Sequence, residues 1–127
     1  MAGASSSKLN RSVDAYLGHL EVERGLSPNT LSAYRRDLAR YCEFCLGHGV
    51  GELQDVTPDQ VEDFLVALSV GDVDHPPLSA ASAGRTLAAV RGLHRFAVLE
   101  GWTDTDPAAA IAPPRAGLRL PKALTLT

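Results

Sequence analysis

The chain has 127 residues, 45% of them apolar and 21% charged, with a net charge of −3. That is enough chain for one globular domain with a core of ordinary size, and too little apolar continuity for a bilayer span or a secretory leader. An acidic total argues at first against a nucleic-acid partner.

The distribution of charge changes that reading. Residues 49–77 carry Glu52, Asp55, Asp59, Glu62, Asp63, Asp72 and Asp74 and no Lys or Arg, whereas 78–127 carry Arg85, Arg91, Arg95, Arg115, Arg119 and Lys122 against Glu100, Asp104 and Asp106. A basic part and an acidic edge are hidden inside the sum.

The first residues, 1–8, are small and polar and read as a disordered tail. A helix is predicted over 9–24, with Leu9, Val13, Tyr16, Leu17 and Leu20 on one stripe and Gly25 as its left-handed cap. Ser27-Pro28 predicts a second start, a capping hydroxyl followed by a proline whose missing N–H costs nothing there. That helix runs to about residue 46, with Leu31, Tyr34, Leu38, Tyr41 and Cys45 inward. Thr57-Pro58 repeats the device for a third helix to about 68, with Val61, Phe64, Leu65 and Leu68 inward and Asp59, Glu62 and Asp63 outward. After a loop over 69–77, a fourth helix is predicted over 79–101, its apolar face Leu87, Val90, Leu93, Ala97 and Val98. A short helical turn follows at 107–111, and 113–127 reads as an extended linker broken by Gly117 and Pro121. The fold class is all-α, a compact four-helix bundle over 9–112.

Catalytic and metal-binding patterns are absent from the sequence. His19, His48, His75 and His94 are scattered, and His94 falls on an inner helix face as a core residue. Cys42 and Cys45 have no second pair to complete a zinc site and suit two small core positions of a helix, in a reducing cytoplasm. No cofactor or metal is expected.

Two helix flanks suggest DNA instead. The outer side of the second helix presents Asn29, Ser32, Arg36 and Arg40 at helical spacing, with Arg35 beside them. Asn29 and Thr30 lie in its first turn, where free N–H groups and the helix dipole attract a phosphate. The fourth helix presents Ala81, Arg85, Ala88 and Gly92, with Ser82, Ala89 and Arg95 alongside. Small neighbours let a backbone approach a groove, and Arg85 could fork onto guanine O6 and N7. Alternatively Ala88 and Gly92 pack against another helix, of this chain or of a protein partner, which would make the chain a helical interaction module.

The segment Leu26-Ser27-Pro28-Asn29-Thr30-Leu31-Ser32-Ala33-Tyr34-Arg35-Arg36-Asp37-Leu38 resembles the signature of Xer-type (XerC/XerD-like) tyrosine site-specific recombinases in the phage-integrase family, in their amino-terminal core-binding, SAM-like domain. Val56-Thr57-Pro58-Asp59-Gln60-Val61, the stretch from Arg85 to Phe96, Asp106-Pro107 and Arg119-Leu120-Pro121-Lys122-Ala123-Leu124 follow in the family's order. The resemblance implies an orthogonal bundle that grips one half of a double-stranded recombination site from the cytoplasmic chromosome, with dimer resolution as its setting. It also implies other recombinase protomers as partners in the full complex. By position it implies DNA contacts at Asn29, Thr30, Ser32, Arg35, Arg36, Arg40, Ser82, Arg85 and Arg95, with Arg115, Arg119 and Lys122 following the duplex along the linker. Tyr16, Tyr34 and Tyr41 do not match the family's nucleophile, whose domain lies after that linker, so this stretch alone is expected to be a monomeric DNA-binding piece and no enzyme.

Overall fold

In a computed structural model of the chain, residues 8–112 are described. Four α-helices appear among them, α1 (Lys8–Glu23), α2 (Pro28–Gly47), α3 (Pro58–Val70) and α4 (Ala80–Leu99), with a 3-10 turn at Leu53–Asp55 and no strand. α2 and α4 pack on each other, α1 lies against both, and α3 closes against both from another side. The all-α bundle expected from periodicity is therefore present. The 3-10 turn had no periodic signal, since three residues are too few to show one.

Helix starts follow local chemistry. Ser27 caps α2 by accepting the Thr30 N–H at 3.2 Å, and Ser79 caps α4 by accepting the Ser82 N–H at 3.1 Å. At α3 the Thr57 hydroxyl accepts from the Gln60 N–H while the Gln60 side chain accepts from the Thr57 N–H, a reciprocal box. α3 continues two residues past the expected end and stops at Gly71, whose φ of +78° suits glycine.

Three further boundaries differ from the sequence reading. Lys8, placed in the tail, is the first residue of α1, and its ammonium reaches Glu52 beside the 3-10 turn at 3.2 Å. α4 ends at Leu99 and Gly101 is the positive-φ residue beyond it. Residues 107–110 make a turn, not a helix; the Asp106 carboxylate accepts the Ala108 N–H, and Arg91 donates to the carbonyls of Ala109 and Ile111.

The core is a single cluster of the predicted stripes, with Leu9, Leu17, Leu38, Tyr41, Val61, Phe64, Leu68, Leu87, Val90 and Leu93 essentially without solvent contact. Leu65 and Val98 are only half-buried. Cys42 and Cys45 are free and buried, and burial pushes their thiols up to about 12 and about 11, which leaves them inert fillers.

Two details of the core carry consequences. Gly92 of α4 leaves the space that the phenol of Tyr16 on α1 occupies; a methyl group on Gly92 would collide with it. His94 is fully buried, its Nε2 2.7 Å from the Tyr41 hydroxyl and its Nδ1 without a partner. Tyr41 is also hydrogen-bonded to Cys45. The economical arrangement has Nε2–H donating to the Tyr41 oxygen, so that only an acceptor lone pair of Nδ1 is left unpaired. Burial holds the His94 imidazolium down to a pKa of about 4, against an ordinary 6.5.

Gly92→Ala is expected to destabilise the chain by about 1–3 kcal/mol through overpacking against Tyr16, measured by denaturant unfolding. For His94 the unfolded chain takes up a proton below pH 6.5 and the folded chain does not until about pH 4. Its contribution is therefore complete above pH 7 and is lost as pH falls through that window, roughly 3 kcal/mol in all. A pH series of unfolding curves should show this slope in the parent chain and a flatter one in His94→Gln.

Candidate nucleic-acid interface

The site begins with a charge that the fold keeps out of water. Asp37 sits among the inward residues of α2 and is 7% exposed. Arg85, on the second turn of α4, donates from Nε to Oδ2 and from Nη2 to Oδ1, both at 2.8 Å. Two parallel charge-assisted bonds of this kind are among the stronger and more directional polar contacts. The hydrogen bond to Asp37 raises the Arg85 pKa above its ordinary value.

This corrects the picture of Arg85 as a wholly free fork. Its Nε–Nη2 edge is taken by Asp37. What is left to donate is the other edge, Nη1 and the second N–H of Nη2, on a side chain that stays 42% exposed.

Arg85 does not stand alone. It shares a surface depression of about 380 Å³ with Arg36 and Arg40 of α2, floored by Asp37 and Thr86. Arg36 is exposed and Arg40 half-buried, and neither has a carboxylate partner among the described residues. The Nη2 of Arg40 is buried without an acceptor, an arrangement that costs free energy until an anion or water supplies one. Glu43 and His75 close one end; the His75 ring lies 3.8 Å from Glu43 and 3.0 Å from Asp72. The two arginine-bearing flanks expected from helical spacing thus converge on one place.

Other predicted residues are distributed differently. Asn29 and Ser32 are exposed on α2. Thr30 is engaged in the cap, its N–H given to Ser27 and its hydroxyl oxygen accepting from the Ser27 hydroxyl at 3.0 Å, so its amide is not a free anion donor. Ser82 is half-buried with its N–H already bonded to Ser79 and its carbonyl accepting from Thr86. Arg35 turns towards α1, 3.6 Å from Asp14, away from the shared depression. Arg95 lines a separate cleft between α1 and α4 with Tyr16, His19 and Arg24. Arg115, Arg119 and Lys122 lie outside the described residues.

The small-residue flank of α4 is also divided. Ala81 and Ala88 are exposed, but Ala89 is fully buried and Gly92 is covered by Tyr16. Its smallness at those two positions serves packing inside the chain, so no continuous stripe is left for a partner helix. The residue missed as a site residue was Asp37. Its signal was a carboxylate placed between Tyr34, Leu38 and Tyr41, where an unpaired charge would be costly.

Among the described residues no group of three or more His, Cys, Asp or Glu is placed to hold a metal, and no helix is long and apolar enough to cross a membrane. The family described as "Phage integrase, N-terminal SAM-like domain" matches residues 13–101. The chain belongs to that family. It is 49% identical over 124 residues to a tyrosine recombinase XerD of Mycobacterium leprae, covering 96% of this chain and 39% of that protein. It is 39% identical over 116 residues to a tyrosine recombinase XerC of Pseudomonas fluorescens, covering 91% and 37%. The chain therefore spans under two fifths of the length of these recombinases. A solved N-terminal domain of a phage integrase/site-specific recombinase from Haloarcula marismortui superposes with a TM-score of 0.73 at 13% identity, over 85% of this chain and 97% of that one, which supports the SAM-like fold.

Because Asp37 is the buried member of its pair, Arg85→Ala should destabilise the SAM-like domain by roughly 1–3 kcal/mol, and adding Asp37→Asn should recover part of that loss. Urea unfolding of the single and double variants measures both.

Proposed function

We propose that this chain is a DNA-gripping domain of a tyrosine site-specific recombinase, holding one recombination half-site while a catalytic domain cuts and rejoins the strand. The observation that carries this reading is the convergence of Arg36, Arg40 and Arg85 on one depression between α2 and α4, in a chain of the phage-integrase N-terminal family. Arg36 and Arg40 are unpaired cations on neighbouring turns of one helix, suited to successive phosphates. The buried, acceptor-less Nη2 of Arg40 gains an acceptor when a phosphate oxygen arrives. Exposed Ser32 and Asn29, one and two turns nearer the start of α2 than Arg36, extend the same flank along a backbone.

Net charge does not oppose this. The exposed acids Asp59, Glu62 and Asp63 occupy α3 and do not line the depression, where three arginines outnumber the acids Asp37 and Glu43. In the intact recombinase proposed, the cleavage chemistry belongs to the further domain, other protomers complete the complex, and chromosome dimer resolution is the proposed setting.

The test is fluorescence anisotropy of the chain with duplex DNA at two or more salt concentrations. Binding should be weak and steeply salt-dependent, each phosphate contact contributing about 0.9 to the slope of log affinity against log salt. Arg36→Ala and Arg40→Ala should each lower that slope by about one and weaken all sequences alike. Affinity that ignores both salt and these two substitutions would sink the proposal.

A further inference from the structure

We infer that Asp37 is a positioning residue for DNA recognition, holding the Arg85 guanidinium so that its remaining edge reads a base pair beside phosphates held by Arg36 and Arg40. This rests on the DNA-gripping reading above and goes beyond it, because it assigns sequence discrimination to an acid that itself touches no DNA.

An arginine on a helix surface has four rotatable bonds, and fixing them when it binds costs conformational entropy. Arg85 has met that cost in the folded chain. Both oxygens of Asp37 hold its Nε and Nη2 at 2.8 Å, and Asp37 is in turn fixed by burial. A carboxylate on the Nε edge determines the plane and the direction of the guanidinium. It leaves Nη1 and one N–H of Nη2 side by side, a two-pronged donor at the spacing of the O6 and N7 acceptors of guanine. Arg85 opens on the same depression as Arg36 and Arg40, whose unpaired charges suit a phosphate backbone there.

The pair also adjusts the balance between specific and unspecific binding. Asp37 cancels the charge of Arg85 locally, so the arginine adds little to attraction for any duplex and acts mainly through geometry. A purely architectural role for Asp37, tying α2 to α4, predicts something else: loss of stability with unaltered discrimination by the folded molecules.

Selection from a duplex library randomised across a half-site, read by sequencing of the bound fraction, separates these cases. The parent chain should enrich one base pair at the position facing Arg85. Asp37→Asn keeps the side-chain shape and removes the charge. It should lose that enrichment about tenfold, keep enrichment elsewhere, and bind the unselected library as tightly as the parent or more tightly. Arg85→Lys, which keeps the charge and loses the fork, should lose the same enrichment, and the double variant should lose no more. Helical circular dichroism at the selection temperature confirms which variants are folded.

Unchanged enrichment by folded Asp37→Asn, or additive losses in the double variant, would overturn the positioning role. If the parent binds the library through Arg36 and Arg40 but selects nothing that Arg85→Lys loses, the positioning role fails while the gripping function stands. If the parent binds no duplex at all, both fail.

Discussion

The contact between α2 and α4 is the constraint on which the remaining structure depends. Two polar pairs cross it, Asp37 with Arg85 and, a turn further along α2, Tyr41 with His94. Leu38, Leu87 and Val90 complete the surrounding core. A purely apolar seam can slide or rotate with little penalty, because dispersion and burial are not directional. A buried carboxylate and a buried imidazole are different. Moving either helix by one residue would leave both without their partners in a medium that penalises unpaired polar groups. The two pairs therefore set the rotation of each helix about its axis, and so the direction of every side chain on the outer flanks.

That is why a surface of arginines exists at all. Arg36 and Arg40 are four residues apart on α2, and any straight helix would align them with each other. Only the rotation enforced by Asp37 and Tyr41 brings their flank beside Arg85. Gly92 contributes from another direction: by admitting the Tyr16 phenol it lets α1 lie close on the far part of α4, while Ala81, Arg85 and Ala88 stay exposed. The exposed acids of α3 and the arginines of α2 and α4 then occupy different parts of one small molecule, and a formal charge of −3 coexists with a locally cationic depression. Local field, not the sum of charges, is what an approaching polyanion encounters.

The family relationship and the geometry address different questions. Identity near one half to XerD proteins, over most of this chain, places the domain in a lineage of recombinases. It does not say which side chains are free. The geometry does: Arg36 and Arg40 are unpaired, Arg85 is half engaged, Arg35 is drawn to Asp14, and Thr30 is spent on its own helix cap.

The sequence by itself determined the parts of this protein that depend on neighbours along the chain. Helix starts at Ser27-Pro28, Thr57-Pro58 and Ser79, the stop at Gly25, the inward stripes and the core placement of His94 all follow from residues within one or two turns, where capping and amphipathic periodicity act. Tertiary structure alone decided what lies across the seam. That Gly92 accommodates Tyr16, that Lys8 pairs with Glu52, and that Asp37 holds Arg85 are contacts between residues some 40 to 80 positions apart. No local pattern encodes them, because the angle and rotation at which two helices meet are set by the packing of whole faces rather than by any short run of residues.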